Sequence, residues 1–389
     1  MYNRDIMNKV GIITILKCNN FGAELQAYAT QKKLRLMGYD AEIIDMLYYK
    51  HPDFKKTKLS RPFVKQTMKE KVTEFVKFSI LNPIIYNIIP LFSKKMRIRN
   101  KKFDNFHKEN TKLSKTYRTI DSLYNKCDDY DAYIVGSDQV WNPGTGMNIE
   151  PYFLSFTPKG KKRISYASSF GVTRIPTQYV DKFKKLLNGL DFISVREEAG
   201  VKIVEEVAQR KAELVLDPTL LLDKEEWKKC SSGYNPNNEG YVLIYEVHPS
   251  EKIQQLALDY AQKNNLPVYR VGVRGMFNWE TKGITNLVDI GPADFVSLFE
   301  NAGIVFTNSF HGTAFSVNLG KEFYTVLSRA GKKNSRMTSL LSILNLDSRI
   351  IYQEDDKKIS YEKYDVSKVQ ELLKSEREKS IDYLKTALN

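Results

Sequence analysis

A single histidine lies at the junction between a predicted strand and a predicted helix. The apolar run Gly303–Phe306 predicts a buried strand, polar residues follow it through Ser309, and a helical pattern begins around His311. In open α/β sheets, ligands bind at the carboxyl ends of strands, where helix N-termini point free N–H groups toward them. A histidine at such a position can transfer a proton near neutral pH and lie beside an anion. His311 is therefore a candidate catalytic residue; the alternative is a histidine that only caps a turn.

Charged residues follow two other predicted strands. Asp138 comes after the strand Ala132–Val135, and Arg196 comes after Phe192–Val195. Asp138 can act as a base or orient hydroxyl groups; the alternative is that its side chain only caps a turn or a helix. The planar guanidinium of Arg196 can bind a carboxylate or a phosphate through two parallel hydrogen bonds, whereas a surface pair with Glu197 is the plain alternative.

Two further turns are of interest. Asn20 and Gly22 lie between a predicted strand and a predicted helix, where they form either an anion or acceptor site at the helix N-terminus or only the turn itself. Asp217, followed by proline, favours a structural turn.

The order of predicted elements indicates an α/β protein. Strands and helices alternate from Val10 onward, which is typical of parallel sheets joined by right-handed crossovers. A turn-rich stretch at Ser231–Gly240 divides the pattern. We therefore predict two doubly wound, Rossmann-like domains that face a cleft in a GT-B-like arrangement. The predicted N-terminal domain spans residues 1–230, the C-terminal domain spans 240–365, and a helix at 366–389 follows, which we expect to pack back across the domains.

All of the net charge lies in one segment. Residues 50–118 contain 19 lysines and arginines against 5 acidic residues, a net charge of +14 that equals the charge of the whole chain of 389 residues.

Within this basic insertion, the apolar run Phe78–Phe92 is interrupted by Pro83 and Pro90 and is too short to span a bilayer. It could instead lie in the interface of an anionic membrane. The alternative is a structural insertion in which Ile84, Ile85, Ile88 and Ile89 pack as core. The segment lacks an aromatic-basic nucleic-acid signature, so nucleic acid is not expected as a partner.

The three cysteines are widely spaced and form no CxxC pair. This spacing indicates neither a disulfide framework nor a zinc site, and it suits a reducing compartment. The first residues lack the long apolar run of a signal peptide. We expect a cytoplasmic protein. The membrane interpretation of the basic insertion adds peripheral attachment to the inner face of the plasma membrane.

Several short motifs resemble one known family. They are Asn20–Tyr28 (NFGAELQAY), Gly38–Asp45 (GYDAEIID), Gly136–Asn142 (GSDQVWN), Ser194–Glu197 (SVRE), Asp217–Thr219 (DPT) and Ser309–Gly312 (SFHG). In this order and spacing, the chain resembles the polysaccharide pyruvyl transferases. The resemblance implies a GT-B-like fold and transfer of the enolpyruvyl unit of phosphoenolpyruvate to sugar hydroxyls, which yields a pyruvate ketal. The basic insertion lies outside it.

This chemistry defines roles for the candidate residues. Phosphoenolpyruvate is the donor substrate, and the reaction requires neither a metal nor another cofactor. His311 is then the candidate acid that protonates the donor, and Asp138 is the candidate base. Arg196 and three cations after the next strand, namely Lys332, Lys333 and Arg336, are candidates for binding the donor's charges. Asn20, Gly22 and Ser309 complete the candidate binding residues. A sugar acceptor is the expected second substrate, either free in a polysaccharide or carried on a polyprenyl diphosphate.

One motif departs from the family pattern. Members often have Arg-Leu-His where this chain has Ser309-Phe310-His311, so position 309 supplies no cation. Lys332 or Lys333 could compensate, or the donor could be a different anion.

Two other classes of function stay open: a nucleotide-sugar glycosyltransferase of the same fold, and a non-catalytic membrane-surface protein. The first is weakened because no clear glycine-rich diphosphate loop is found.

Overall fold

The computed structural model of the protein describes residues 9–63, 67–68, 72–73, 76, 84, 88–272, 280–331, 334–355 and 359–389. The strands are β1 (Lys9–Ile13), β2 (Asp40–Ile43), β3 (Ala132–Val135), β4 (Lys162–Ser165), β5 (Ser194–Val195), β6 (Glu213–Leu214), β7 (Val242–Glu246), β8 (Val268–Gly272), β9 (Ile284–Asn286), β10 (Ile304–Thr307), β11 (Glu322–Leu327) and β12 (Ile350–Tyr352).

The α-helices are α1 (Phe21–Leu36), α2 (Ile89–Phe92), α3 (Lys94–Asn110), α4 (Ile120–Lys126), α5 (Val180–Asn188), α6 (Glu198–Ala208), α7 (Pro218–Leu221), α8 (Lys224–Lys228), α9 (Glu251–Asn264), α10 (Pro292–Asn301), α11 (Phe310–Asn318), α12 (Ser335–Ile343) and α13 (Val366–Leu388).

The strands form two parallel sheets. The first has the order β2-β1-β3-β4, and the second has the order β12-β11-β10-β7-β8-β9. Strands β5 and β6 pair with each other and continue the first sheet through isolated bridges, such as Ser168 with Val195. The strand pairs of both sheets are parallel, so each strand must be joined to the next by a crossover connection. The α/β, GT-B-like fold with two Rossmann-like sheets is confirmed.

The strands are buried because helices cover the sheets. Strand β3 and strand β10 consist entirely of buried residues, as expected for parallel strands with covered faces. The largest core cluster contains residues of both sheets and of the helices between them, including Phe21, Trp227, Phe295 and Phe315. Phe21 stacks on Phe295 with ring centroids 4.9 Å apart, and this contact joins the start of α1 to α10. The two sheets therefore share one apolar core beneath the cleft.

The terminal helix α13 contacts both halves of the molecule. Arg377 donates to the carbonyl of Leu220 and to Asn318 of α11, and Tyr383 donates to the carbonyl of Ser165 at the end of β4. The backbone N–H of Leu216 donates to Ser380. These hydrogen bonds hold α13 against α7, α11 and the end of β4.

The basic insertion is described in part. Ile84 and Ile88 are 36% and 46% exposed, Ile89 is half-buried, and Ile85 lies outside the described residues, as does most of the apolar run. Helix α3, which follows, buries Arg99, Phe103 and Phe106 against the core. Among the residues that the structure describes, no helix has the length and apolar character needed to cross a bilayer.

Candidate active site

The candidate site is a cavity of about 460 Å³ at the carboxyl ends of the strands. Its lining comes mainly from the loops after β7, β10 and β11, and from the first sheet through Asn20 and Asp138. Among its lining residues are Asn20, Asp138, Ser309, His311 and Arg336. A cavity that joins the strand ends of two parallel sheets is where this architecture binds ligands.

His311 lies at the contact between the two halves. It occupies the first turn of α11, is only 7% exposed, and packs its ring against Gly22 in the first turn of α1. A Cβ atom added at position 22 would lie 2.0 Å from His311 Nδ1, so only glycine allows the imidazole to occupy this position. On the other side of the ring, the buried Nε2 makes no hydrogen bond to any residue that the structure describes. A buried polar atom without a partner is uncommon, and a catalytic or ligand-binding role is one explanation for it.

Two helix N-termini converge on this histidine. Asn20 caps α1 by accepting a hydrogen bond from the N–H of Ala23, and Ser309 caps α11 by accepting one from the N–H of Gly312. Both capping residues line the cavity. Because helix N-termini carry partial positive charge, this end of the cavity favours an anion even though position 309 lacks a cation.

Arg196 lies behind the cavity, and neighbouring side chains engage both terminal nitrogens of its guanidinium. Its side chain is 0% exposed. Nη1 donates to Asp217 at 2.6 Å and to Ser137 at 3.1 Å, while Nη2 is 3.4 Å from Asp138. Ser137 in turn donates to Asp217 at 2.7 Å. Arg196 therefore joins the ends of β3 and β5 to the start of α7.

Asp138 has a left-handed backbone, with a φ of 76°. Lys17, Asn19 and Ala167 share this conformation, and all four residues follow strands β1, β3 or β4 of the first sheet. Left-handed residues other than glycine are uncommon and cluster at functional sites, where the surrounding structure holds them. The conformation directs Asp138 toward the cavity, where its side chain is 18% exposed.

Arg336 supplies the guanidinium that lines the cavity. It lies on α12 and is partly buried, and its Nε has no hydrogen-bond partner among the described residues. Its guanidinium carbon lies 5.9 Å from the ring centroid of Phe310, and that of Arg196 lies 4.5 Å from the same ring. Burial and the charge of Arg196 together lower the pKa of Arg336 to about 10. A cation held in this way is stabilised by any anion that enters the cavity.

Burial also controls the protonation of His311. It lowers the pKa of the imidazole below its ordinary value, and Arg196 and Arg336 act in the same direction, while Asp217 and Asp138 oppose them. Burial raises the pKa of Glu197, which lies beside Arg196 and accepts a hydrogen bond from Ser169. The imidazole is therefore neutral near pH 7 in the absence of a ligand.

The structure brings most of the predicted site residues together. Five of them line the cavity, namely Asn20, Asp138, Ser309, His311 and Arg336. Gly22 lies directly behind His311, and Arg196 lies behind Asp138. Lys332 and Lys333 lie outside the described residues.

Sequence reasoning did not identify the importance of Asp217 and Phe310. Asp217 accepts from Thr219 at the start of α7, as a turn residue would, but it is also the buried partner of Arg196. Phe310 provides the ring on which both guanidiniums lie. Both residues belong to motifs visible in the sequence, yet their roles depend on contacts between residues 21 to 114 positions apart. Among the described residues, no group of three His, Cys, Asp or Glu side chains is arranged to hold a metal ion.

The first prediction concerns the buried ion pair. Burial opposes ionisation of Asp217, but Arg196, His311 and two hydroxyl donors outweigh it and lower its pKa to about 2. Asp217→Asn leaves Arg196 partly uncompensated, so the free energy of unfolding should fall by about 3–5 kcal/mol at pH 7. Because the native pKa is depressed, this difference should persist above pH 4 and shrink as the pH falls from about 4 toward 2.

Chemical denaturation of both proteins across this pH range measures the difference. Asp191→Asn is the control, since it changes an exposed carboxylate that accepts one backbone hydrogen bond from Arg163. A loss from Asp217→Asn no larger than that of the control would show that the ion pair does not stabilise the fold.

Comparisons with known proteins address the family. The model of the polysaccharide pyruvyl transferase family matches residues 20–329. Among solved structures, the chain is similar to a UDP-N-acetylglucosamine 2-epimerase from Rickettsia bellii, with 11% identity, 98% and 97% of the two chains covered and a TM-score of 0.48. It is also similar to E. coli ADP-heptose LPS heptosyltransferase II, with 12% identity, 98% of each chain covered and a TM-score of 0.35. A comparison with curated proteins found no match. The family match spans most of the chain and contains every described candidate residue except Arg336, and we conclude that this chain belongs to the polysaccharide pyruvyl transferase family.

Proposed function

We propose that the protein transfers the enolpyruvyl unit of phosphoenolpyruvate to two hydroxyl groups of a sugar, forming a pyruvate ketal on a polysaccharide or its lipid-linked precursor. The observation that carries the proposal is the buried His311, which lines a cavity bordered by two helix N-termini and by Arg336, and whose Nε2 has no hydrogen-bond partner among the described residues. This arrangement combines a proton-transfer group with an anion site, as the donor requires.

Donor binding is assigned to Arg336 and the two helix N-termini. Phosphoenolpyruvate carries a carboxylate and a phosphate, and Arg336 is the described guanidinium that lines the cavity. Its position supports the idea that α12 provides the cation that position 309 lacks. Arg196 is already engaged by Asp217 and Asp138, so we assign it the role of positioning these two carboxylates. Lys332 and Lys333 remain proposed contributors to phosphate binding.

The reaction needs proton transfer at both substrates. Transfer of a proton to C3 of the donor makes C2 electrophilic, and one sugar hydroxyl then attacks C2 while a base takes its proton. The C2–O bond to phosphate breaks, and phosphate leaves with the bonding electrons. A second hydroxyl attacks C2 and loses its proton, which closes the ketal. We assign protonation of C3 to His311 and acceptance of the hydroxyl proton, or orientation of the hydroxyls, to Asp138.

The acid role of His311 depends on the donor. In the free protein, burial lowers the pKa of this imidazole, which disfavours the protonated form that an acid requires. Binding of a multiply charged anion beside the ring raises that pKa, because an opposite charge nearby stabilises the imidazolium. Thus the donor itself would bring His311 into the protonated state, and an empty site would remain neutral.

One observation favours a second candidate, a nucleotide-sugar glycosyltransferase. The cavity of about 460 Å³ extends along Val247, Pro249 and Val326 and leaves room for a donor larger than phosphoenolpyruvate. Incubation with uridine and cytidine diphosphate sugars, in parallel with phosphoenolpyruvate, separates the two candidates. Release of the nucleoside diphosphate, without phosphate release from phosphoenolpyruvate, would favour the glycosyltransferase.

The second prediction tests the proposed acid. His311→Ala should lower turnover by about 10²–10⁴-fold, the usual contribution of a general acid, while the fold stays intact. The measurement is acceptor-dependent release of phosphate from phosphoenolpyruvate. His51→Ala, at a histidine outside the cavity lining, is the control and should retain wild-type turnover. Near-wild-type turnover of His311→Ala would remove this histidine from the mechanism.

The third prediction separates the two arginines. Arg336→Lys keeps the charge but loses the planar fork, so the KM for phosphoenolpyruvate should rise by about tenfold with little change in thermal stability. Arg196→Lys loses the planar guanidinium that donates to Ser137 and Asp217, so it should lower thermal stability. The opposite pattern, in which only Arg196→Lys raises KM and stability is unchanged, would place the donor's anion on Arg196.

The fourth prediction tests the contact between the two halves. Gly22→Ala should displace His311 because the new Cβ would overlap the ring, and we expect turnover to fall by at least about 10²-fold. Gly272→Ala is the matched control, since a Cβ at that position meets no atom of the described residues within 4 Å. If both variants turn over at the wild-type rate, the close approach of Gly22 and His311 is not required for catalysis.

A further inference from the structure

The described chain concentrates its exposed apolar side chains in one region. Seven of the ten large hydrophobic residues that it exposes lie between Met68 and Phe92. Leu91 and Phe92, which end α2, are 66% and 86% exposed. Adjacent apolar side chains that project into solvent usually mark a contact with a protein or a membrane.

A basic helix face begins beside this apolar tip. Ser93 caps α3, and Lys94, Arg97 and Lys101 are exposed on it. Their spacing of three and four residues places them on one face of the helix. The segment from residue 50 to 118 that contains them carries a net charge equal to that of the whole chain, +14.

The opposite face of α3 anchors this region to the molecule. Arg99 is buried, donates to the carbonyls of Asn19 and Ile290, and lies 4.5 Å from the ring centroid of Phe21. Lys102 forms a 2.8 Å ion pair with Asp294 of α10. Helix α3 is therefore fixed to both halves, and its exposed end is held in a defined position relative to the cleft that Asn20 lines.

We propose that the Leu91–Phe92 tip and the exposed basic face of α3, formed by Lys94, Arg97 and Lys101, dock the protein on an anionic lipid bilayer. The two apolar side chains enter the interfacial region, and the basic face lies against the anionic headgroups. Apolar insertion together with a polybasic face is the combination that gives stable and reversible membrane binding. Charge complementarity selects this occupant, because a neutral apolar partner would leave the basic face uncompensated. The proposal does not depend on the proposed reaction, since docking needs neither donor nor acceptor.

The experiment is sedimentation of the whole protein with vesicles of phosphatidylcholine alone or mixed with phosphatidylglycerol, at low and high salt. Wild-type protein should pellet with the anionic vesicles at low salt, and binding should weaken steeply with salt because exposed charges are screened. The Lys94→Gln/Arg97→Gln/Lys101→Gln variant should bind on the order of 100-fold more weakly. The Leu91→Ser/Phe92→Ser variant should bind at least about 10-fold more weakly.

Control variants remove the same number of charges, or one exposed apolar side chain, elsewhere on the protein. Lys159→Gln/Lys184→Gln/Lys263→Gln changes three exposed lysines outside the basic insertion, and Leu36→Ser changes a side chain that is 52% exposed on α1. Both controls should bind vesicles like the wild type. The proposal is overturned if wild-type protein does not pellet with anionic vesicles, or if the control variants lose as much binding as the docking variants. It is equally overturned if the protein binds double-stranded DNA but not vesicles, with Leu91→Ser/Phe92→Ser unaffected.

Discussion

One buried guanidinium, that of Arg196, organises the cleft. A buried cation is tolerated only where carboxylates and hydroxyls compensate it, and Arg196 meets Asp217, Ser137 and Asp138 at distances of 2.6, 3.1 and 3.4 Å. These partners belong to two separate chain segments and Arg196 belongs to a third, so the ion pairs hold the ends of the strands in register with one another. The ring of Phe310 lies over the same guanidinium and extends the constraint to the second sheet. Asp138 and His311 consequently face one cavity.

The second constraint is steric. The imidazole of His311 occupies the space where a side chain at position 22 would begin, so the N-termini of α1 and α11 approach each other closely. Two helix N-termini and Arg336 then provide positive potential without an arginine at position 309. In the proposed donor site, this combination takes the place of the arginine that the family resemblance implies at position 309. The proposed donor site rests on this combination of partial and full charges.

Much of the fold could be predicted from local patterns. Strand β3 has the predicted bounds and helix α13 begins at the predicted residue, because apolar periodicity and capping residues define such elements locally. The bounds of helix α3 were not predicted, although Ser93 and the spacing of Met96, Phe103 and Phe106 could have indicated them, because charge dominates that segment. The candidate site was predicted in part: His311, Asp138 and Arg336 were named from their positions after strands. The pairing of Arg196 with Asp217 and the contact of Gly22 with His311 could not be predicted, because they depend on tertiary approach between distant segments. The left-handed backbone of Asp138 is likewise imposed by its surroundings.

The central claim is that the cavity binds a small multiply charged donor between Arg336 and the N-terminus of α11, with His311 beside the reacting carbon. A crystal structure of the protein soaked with phosphoenolpyruvate tests this most directly. The account predicts an anionic group of the donor within about 3 Å of the Arg336 guanidinium, and C3 of the donor next to His311 Nε2. Donor density elsewhere on the protein, or a donor that leaves Arg336 and His311 without contacts, would contradict it.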